Sequence, residues 1–119
     1  MQPRNGFTLI EIISVLVILG ILAAVAIPNY IDFQAQARIK VTANAIAAAQ
    51  SSLTMQYSRL MLINNGKIPA TSAILTAAGS NCGVSAEDFT VNCLDTGVIT
   101  AILAVDTAYS TTGKWTPPE

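Results

Sequence analysis

Gly6-Phe7-Thr8-Leu9-Ile10-Glu11 opens an apolar run that continues to Ile27 and meets Pro28. Between Phe7 and Ile27 the only clearly polar side chains are Thr8, Glu11 and Ser14. A helix of about 21 residues rises roughly 30 Å, the hydrocarbon thickness of a bilayer. The stretch reads as a membrane span, or as a segment that passes through a membrane on its way elsewhere. Glu11 is the anomaly within it. A carboxylate one turn into an apolar helix costs on the order of a few kcal/mol on insertion unless it is paired or protonated.

The residues ahead of the run point to a partner for that carboxylate. Met1-Gln2-Pro3-Arg4-Asn5-Gly6 is short, polar and carries one Arg. An ordinary secretory signal places its apolar region before a small-residue cleavage site, whereas here the apolar region follows Gly6. Cleavage between Gly6 and Phe7 would expose an amine on Phe7, one helical turn before Glu11. A cation at a helix N-terminus opposes the macrodipole and needs an acid nearby. Glu11 would neutralise the amine of its own chain, or that of a neighbouring copy displaced along the axis. The second arrangement would make pairing a checkpoint for assembly.

The stretch Gly6-Phe7-Thr8-Leu9-Ile10-Glu11 resembles the cleavage and methylation motif of type IV pilins and pseudopilins. The short leader and the Phe after the Gly are similar to the type IVa subclass. The likeness runs through Gly20 and Pro28, where such pilins often carry helix-weakening residues. It is specific up to about Pro28 and architectural beyond. The resemblance implies cleavage after Gly6 by a prepilin peptidase, N-methylation of Phe7, and polymerisation into a helical filament with the apolar helices at its centre. It assigns Glu11, with Phe7, to methylation and register pairing. It also implies that the Gly20–Pro28 segment unwinds in the filament, with a simple bend in the membrane as the alternative.

The implied partners are further copies of the chain, the inner membrane before assembly, the prepilin peptidase, and the pilus assembly platform with its ATPase. So small a distal part leaves room for a second small pilin-like subunit. After assembly the chain would lie in an extracellular pilus on the cell surface. Two other readings stand beside this one. The first is a pseudopilin of type II secretion, or a minor pilin. Major pseudopilins resemble this chain in size but typically carry a calcium site near the C-terminus, and Asp95 and Asp106 form no evident cluster. The second is a membrane-anchored monomeric binding domain.

Composition narrows the function class. The chain has 119 residues, 52% of them hydrophobic and 11% charged. That leaves one domain beyond the span. It is too apolar for a free soluble domain and fits a chain whose first third is buried in lipid or protein. A net charge of −1 gives no electrostatic support to nucleic-acid binding. The chain has no His, and no Cys or carboxylates cluster at metal-ligand spacing. A structural subunit without a cofactor or metal is therefore expected, rather than an enzyme.

The rest of the chain reads as an α+β fold. Residues 29–65 continue the helix as an amphipathic segment, with Ile31, Ala35, Ile39, Ala43, Ile46, Ala49, Leu53, Tyr57, Leu60 and Ile63 at spacings of mostly three or four. One helix from Phe7 to Ile63 would be close to about 85 Å long if unbroken. Asn64-Asn65-Gly66 ends it. Residues 66–88 form a connecting loop with a short helix at 70–78, capped by Thr71 or Ser72 and stopped at Gly79.

Residues 89–119 form a small antiparallel sheet of two or three strands. Phe89–Leu94 and Val98–Val105 flank the turn Asp95-Thr96-Gly97, and a third strand is expected at Gly113–Thr116. Such a sheet needs the helix face around Ile46 to Leu60 as its second layer, with Trp115 in the core. Cys82 and Cys93 are the only cysteines. In an exported chain they point to one disulfide, and two reduced thiols are the alternative. Arg38, Lys40, Arg59 and Lys67 lie on or just after the helix, whereas Glu87, Asp88, Asp95, Asp106 and Glu119 lie in the distal part. This division is read either as two solvated surfaces or as a contact between subunits.

Overall fold

A computed structural model describes residues 6–118. The expected leader residues Met1–Asn5, and Glu119 among the distal acids, lie outside the described residues. The order of elements is α1 (Leu9–Ile63), α2 (Thr71–Ala78), β1 (Phe89–Cys93), β2 (Val98–Leu103) and β3 (Ser110–Lys114). The fold is α+β: one long N-terminal helix and a three-stranded antiparallel sheet in the order β1-β2-β3. The chain divides into two compact units, one running to Gln36 and the other starting at Ala37.

In the first unit, among the described residues, no side chain of α1 is buried. Leu16, Leu19 and Leu22 are exposed, as are Ile18, Ile21 and Val25. The segment is long and apolar enough to cross a membrane. It starts at Leu9 rather than Phe7, because Thr8 takes the capping position. The helix continues through Val25, Ala26 and Pro28. A proline in a helix interior leaves the carbonyl one turn earlier without its amide donor. Here that carbonyl belongs to Ala24.

In the second unit the spacing of apolar residues becomes a stripe. Ala45, Ile46, Ala49, Leu53 and Tyr57 of α1 are buried against Ile74 and Leu75 of α2 and Val91, Ile99 and Ala101 of the sheet. The helix end is closed by a bond from the Gly66 N–H to the Met61 carbonyl at 2.9 Å, with Asn65 left-handed at φ 54°. This is the six-to-one pattern of a Schellman cap. Cys82 and Cys93 form a disulfide, with Cα atoms 5.7 Å apart. It ties the loop after α2 to the end of β1.

Besides the start of α1, and β1 ending at Cys93 rather than Leu94, three features differ from those read in the sequence. The residue preceding α2 is Ala70, and it makes no side-chain cap, so neither Thr71 nor Ser72 caps the helix. β2 ends at Leu103 rather than Val105. The Asp106 carboxylate accepts the Ala108 N–H at 3.1 Å, and this local turn draws the chain away from the ladder. β3 is Ser110–Lys114 rather than Gly113–Thr116, with Thr100 opposite Thr112. Trp115 lies just beyond the strand and is buried as expected.

β3 and the residues after it climb along α1. The hydroxyls of Thr42 and Thr111 share a hydrogen bond of 2.7 Å. Gln50 Nε2 donates to the Lys114 carbonyl at 3.1 Å, and Trp115 Nε1 donates to Thr54 Oγ1 at 3.1 Å. The Tyr57 hydroxyl donates to the Pro118 carbonyl at 3.3 Å. From Gln50 onward each successive turn of the helix supplies one polar partner, and Thr42 supplies another two turns earlier. Gly113 lets this approach happen, since a Cβ there would come 2.5 Å from Ile46 Cγ2. Gly97 turns the β1–β2 hairpin at φ 79°, and its carbonyl accepts the Trp115 N–H at 2.9 Å.

Candidate functional site

The polar residues of the apolar run are satisfied locally. The Thr8 N–H donates to Glu11 Oε2 at 2.7 Å, and the Thr8 hydroxyl donates to the same oxygen at 2.8 Å. The Glu11 N–H points back at Thr8 Oγ1, 3.4 Å away. This is the reciprocal Thr-x-x-Glu capping box, which satisfies free amides at a helix start. The Ser14 hydroxyl donates to the Ile10 carbonyl at 2.7 Å. Thr8, Glu11 and Ser14 thus find their partners within the first turns of their own helix. In hydrocarbon, where water cannot serve, that is the condition for tolerating them.

Phe7 is 86% exposed and lies with Ile12, Val15 and Leu16 along an open apolar groove that also touches Glu11. Gly6, Phe7 and Glu11 are therefore gathered at one helix start. The carboxylate is held by the backbone N–H and hydroxyl of Thr8 at the head of the helix. Gly20 and Pro28 lie further along the same apolar segment. No side chain approaches Gly20 closely enough to explain a missing Cβ there. Cys82 and Cys93 belong to the other unit and take no part in this arrangement.

The Thr8 hydroxyl is the residue that sequence reasoning passed over. Its signal was present: a Thr three positions before a Glu, at the head of an apolar run. In the second unit Arg38 Nη1 reaches Asp106 Oδ2 at 3.3 Å, and the guanidinium lies 5.5 Å from the centre of the Tyr109 ring. Two of the charges read as a possible contact between subunits thus meet within one chain. Among the described residues no group of three or more His, Cys, Asp or Glu is placed to hold a metal ion.

A family model described as the prokaryotic N-terminal methylation motif matches residues 1–27. The type IV narrow pilus major component PilA5 of Thermus thermophilus is 35% identical over 74% of this chain and 86% of its own length. The type IV major pilin protein PilE1 of Neisseria gonorrhoeae is 34% identical over 84% of this chain and 53% of its own length. The type IV major pilin protein PilA of Myxococcus xanthus is 51% identical over 49% of this chain and 28% of its own length. The chain spans about half the length, or less, of the last two. No solved structure matches the chain significantly.

Proposed function

The chain belongs to the type IV pilin family, and from that membership we propose that it is the structural subunit of a type IV pilus. One observation carries the proposal. The apolar segment of α1 is exposed on all sides while its polar residues are satisfied internally. An apolar helix without tertiary partners has two stable environments, a bilayer and a bundle of like helices. A filament subunit occupies each in turn. The inner membrane would hold the helix before assembly, and the pilus core would hold it afterwards.

The site residues take their roles from that passage. A prepilin peptidase would cut between Gly6 and Phe7, and Phe7 would be N-methylated. Glu11 is held at the helix start by Thr8, which supports the reading that its carboxylate would receive an amine there. In the growing polymer the amine of an incoming copy would meet it, neutralising both charges as they leave the bilayer. Gly20 and Pro28 would allow the intervening segment to unwind on packing, since both weaken a helix and neither is held by a neighbour. Continuous helical density across Val25–Ala26 in an assembled filament would end that part of the proposal.

The assembly platform and its ATPase would drive the extraction. A second small pilin-like subunit would complete the small distal unit. The secretion-pseudopilin alternative is less favoured, because the matched relatives carry pilin and fimbrial names.

The test is electron microscopy of material sheared from the cell surface, joined to mass spectrometry of the chain. The expected result is thin filaments built of a chain that begins at N-methylated Phe7. An uncut chain confined to the membrane fraction, with no fibres, would contradict it.

A further inference from the structure

The two edges of the sheet are not alike. On β1 the residues facing outward include Cys93, and its N–H donates to the Ser80 carbonyl at 2.8 Å. Val91, also on that edge, is buried. At its Cys93 end the β1 edge is therefore covered by the loop after α2, and at Val91 it is buried. β3 differs. The Trp115 N–H bonds to Gly97, and the Leu103 N–H bonds to Tyr109. Those bonds fix the phase of the β2–β3 ladder, in which bonded and non-bonded pairs alternate. With Thr100 opposite Thr112 and Ile102 opposite Ser110, the backbone groups of Ser110, Thr112 and Lys114 point away from β2. The Lys114 carbonyl accepts Gln50 Nε2. Among the described residues, the N–H and C=O of Ser110 and Thr112 meet no partner.

An open edge is a template for another strand, and proteins usually blunt it with proline, bulges, inward charges or a central lysine. Ser110-Thr111-Thr112-Gly113-Lys114 has no proline and no bulge, and its one lysine stands at the end of the strand. Its register against β2 is unbroken over all five residues. The segment is also self-complementary. Laid antiparallel on a second copy about Thr112, it places the β-branched Thr112 opposite itself and Lys114 opposite the uncharged Ser110. β-Branched pairs stabilise such a register, and like charges directly opposite would oppose it. No like charges meet here.

We propose that the β3 edge of one subunit pairs antiparallel with the β3 edge of a second, joining their sheets. The contact is two-fold, with the same patch on both sides. Successive subunits of a polar helical filament meet through head-to-tail contacts instead. The β3 pair therefore links subunits of neighbouring filaments and bundles them laterally. This last step rests on the filament reading above, whereas the edge pairing does not.

The experiment uses the full chain, both in detergent micelles and as sheared filaments. Both native cysteines are in the disulfide, so Thr112→Cys introduces the one free thiol. Paired about residue 112, the two Cα atoms would stand roughly 5.5 Å apart, within disulfide reach. Under mild copper–phenanthroline oxidation, Thr112→Cys is expected to give a cross-linked dimer at least about ten-fold more abundant than Thr90→Cys, which sits on the covered-edge strand. Thr112→Lys sets like charges face to face, and Thr112→Pro removes an N–H that the sheet does not use. Both variants should yield single filaments where the parent yields bundles. Dimer from Thr112→Cys in micelles, with no filaments formed, would support the edge pairing and sink the filament reading. Equal cross-linking at residues 90 and 112, or undiminished bundles in Thr112→Lys, would overturn the proposal.

Discussion

The two units of this chain share one helix but obey different rules. Up to Ile27 the helix is apolar on nearly every side and open: Leu22 is 61% exposed and Val25 65%. From Ala37 onward the helix buries one stripe, Ala45, Ile46, Ala49, Leu53 and Tyr57: Leu53 is 0% exposed. In the second unit the hydrophobic effect is already satisfied within one chain, as in any small folded domain. In the first it is left for lipid or for other copies to satisfy. A leucine therefore stabilises the fold in one unit and the assembly in the other.

The strongest way to break that contrast is to make the same substitution in both units. Leu53→Ala opens a cavity in a closed core and should cost about 2–5 kcal/mol. Thermal unfolding of the chain in detergent, followed by circular dichroism, should show a clear fall in midpoint. Leu16→Ala should leave that midpoint in place and lower filament yield instead. Matching shifts from the two substitutions would abolish the distinction.

The second lever is the disulfide. Cys82 and Cys93 are 11 positions apart, so reduction frees a short loop. In the chain-entropy model that loop contributes roughly 3 kcal/mol. The double substitution Cys82→Ser/Cys93→Ser should lower the denaturant midpoint of the sheet unit while the membrane segment keeps its helical signal. Loss of helicity in both would mean that the units unfold together.

The smallest effect belongs to the Arg38–Asp106 pair, whose side chains are 40% and 37% exposed. Half-exposed ion pairs are worth about 0–1 kcal/mol and weaken with salt. Asp106→Asn should change stability by no more than that, and the change should vanish in molar salt when measured by denaturant titration. A larger, salt-resistant loss would show that the turn at Asp106, rather than the charge, is what holds the β2–β3 loop.

How far the fold could be read from the sequence follows from the range of the signals. The start of α1 is a local pattern, and Gly6, Phe7, Glu11, Gly20 and Pro28 could be picked out by type and spacing. The Asp95-Thr96-Gly97 turn and the Cys82–Cys93 pairing were legible for the same reason. β3 was misplaced because Ser110-Thr111-Thr112-Gly113-Lys114 carries no hydrophobic alternation. It is a strand because β2 pairs with it and because Trp115 is anchored on Thr54. The Arg38–Asp106 contact joins residues 68 positions apart, which no local pattern reports. Thr8 was legible and was overlooked, since the conspicuous acid drew the reading away from its cap.

The most direct test separates that cap from the charge it carries. Glu11→Gln keeps a side-chain oxygen for Thr8, because glutamine serves in a capping box as glutamate does. It removes only the negative charge. Filament yield from cells carrying Glu11→Gln, measured beside membrane levels of the cleaved chain, should fall to none or nearly none while the chain itself accumulates. Filaments of parental yield and symmetry would contradict the account, because the charge would then have no part in bringing copies together.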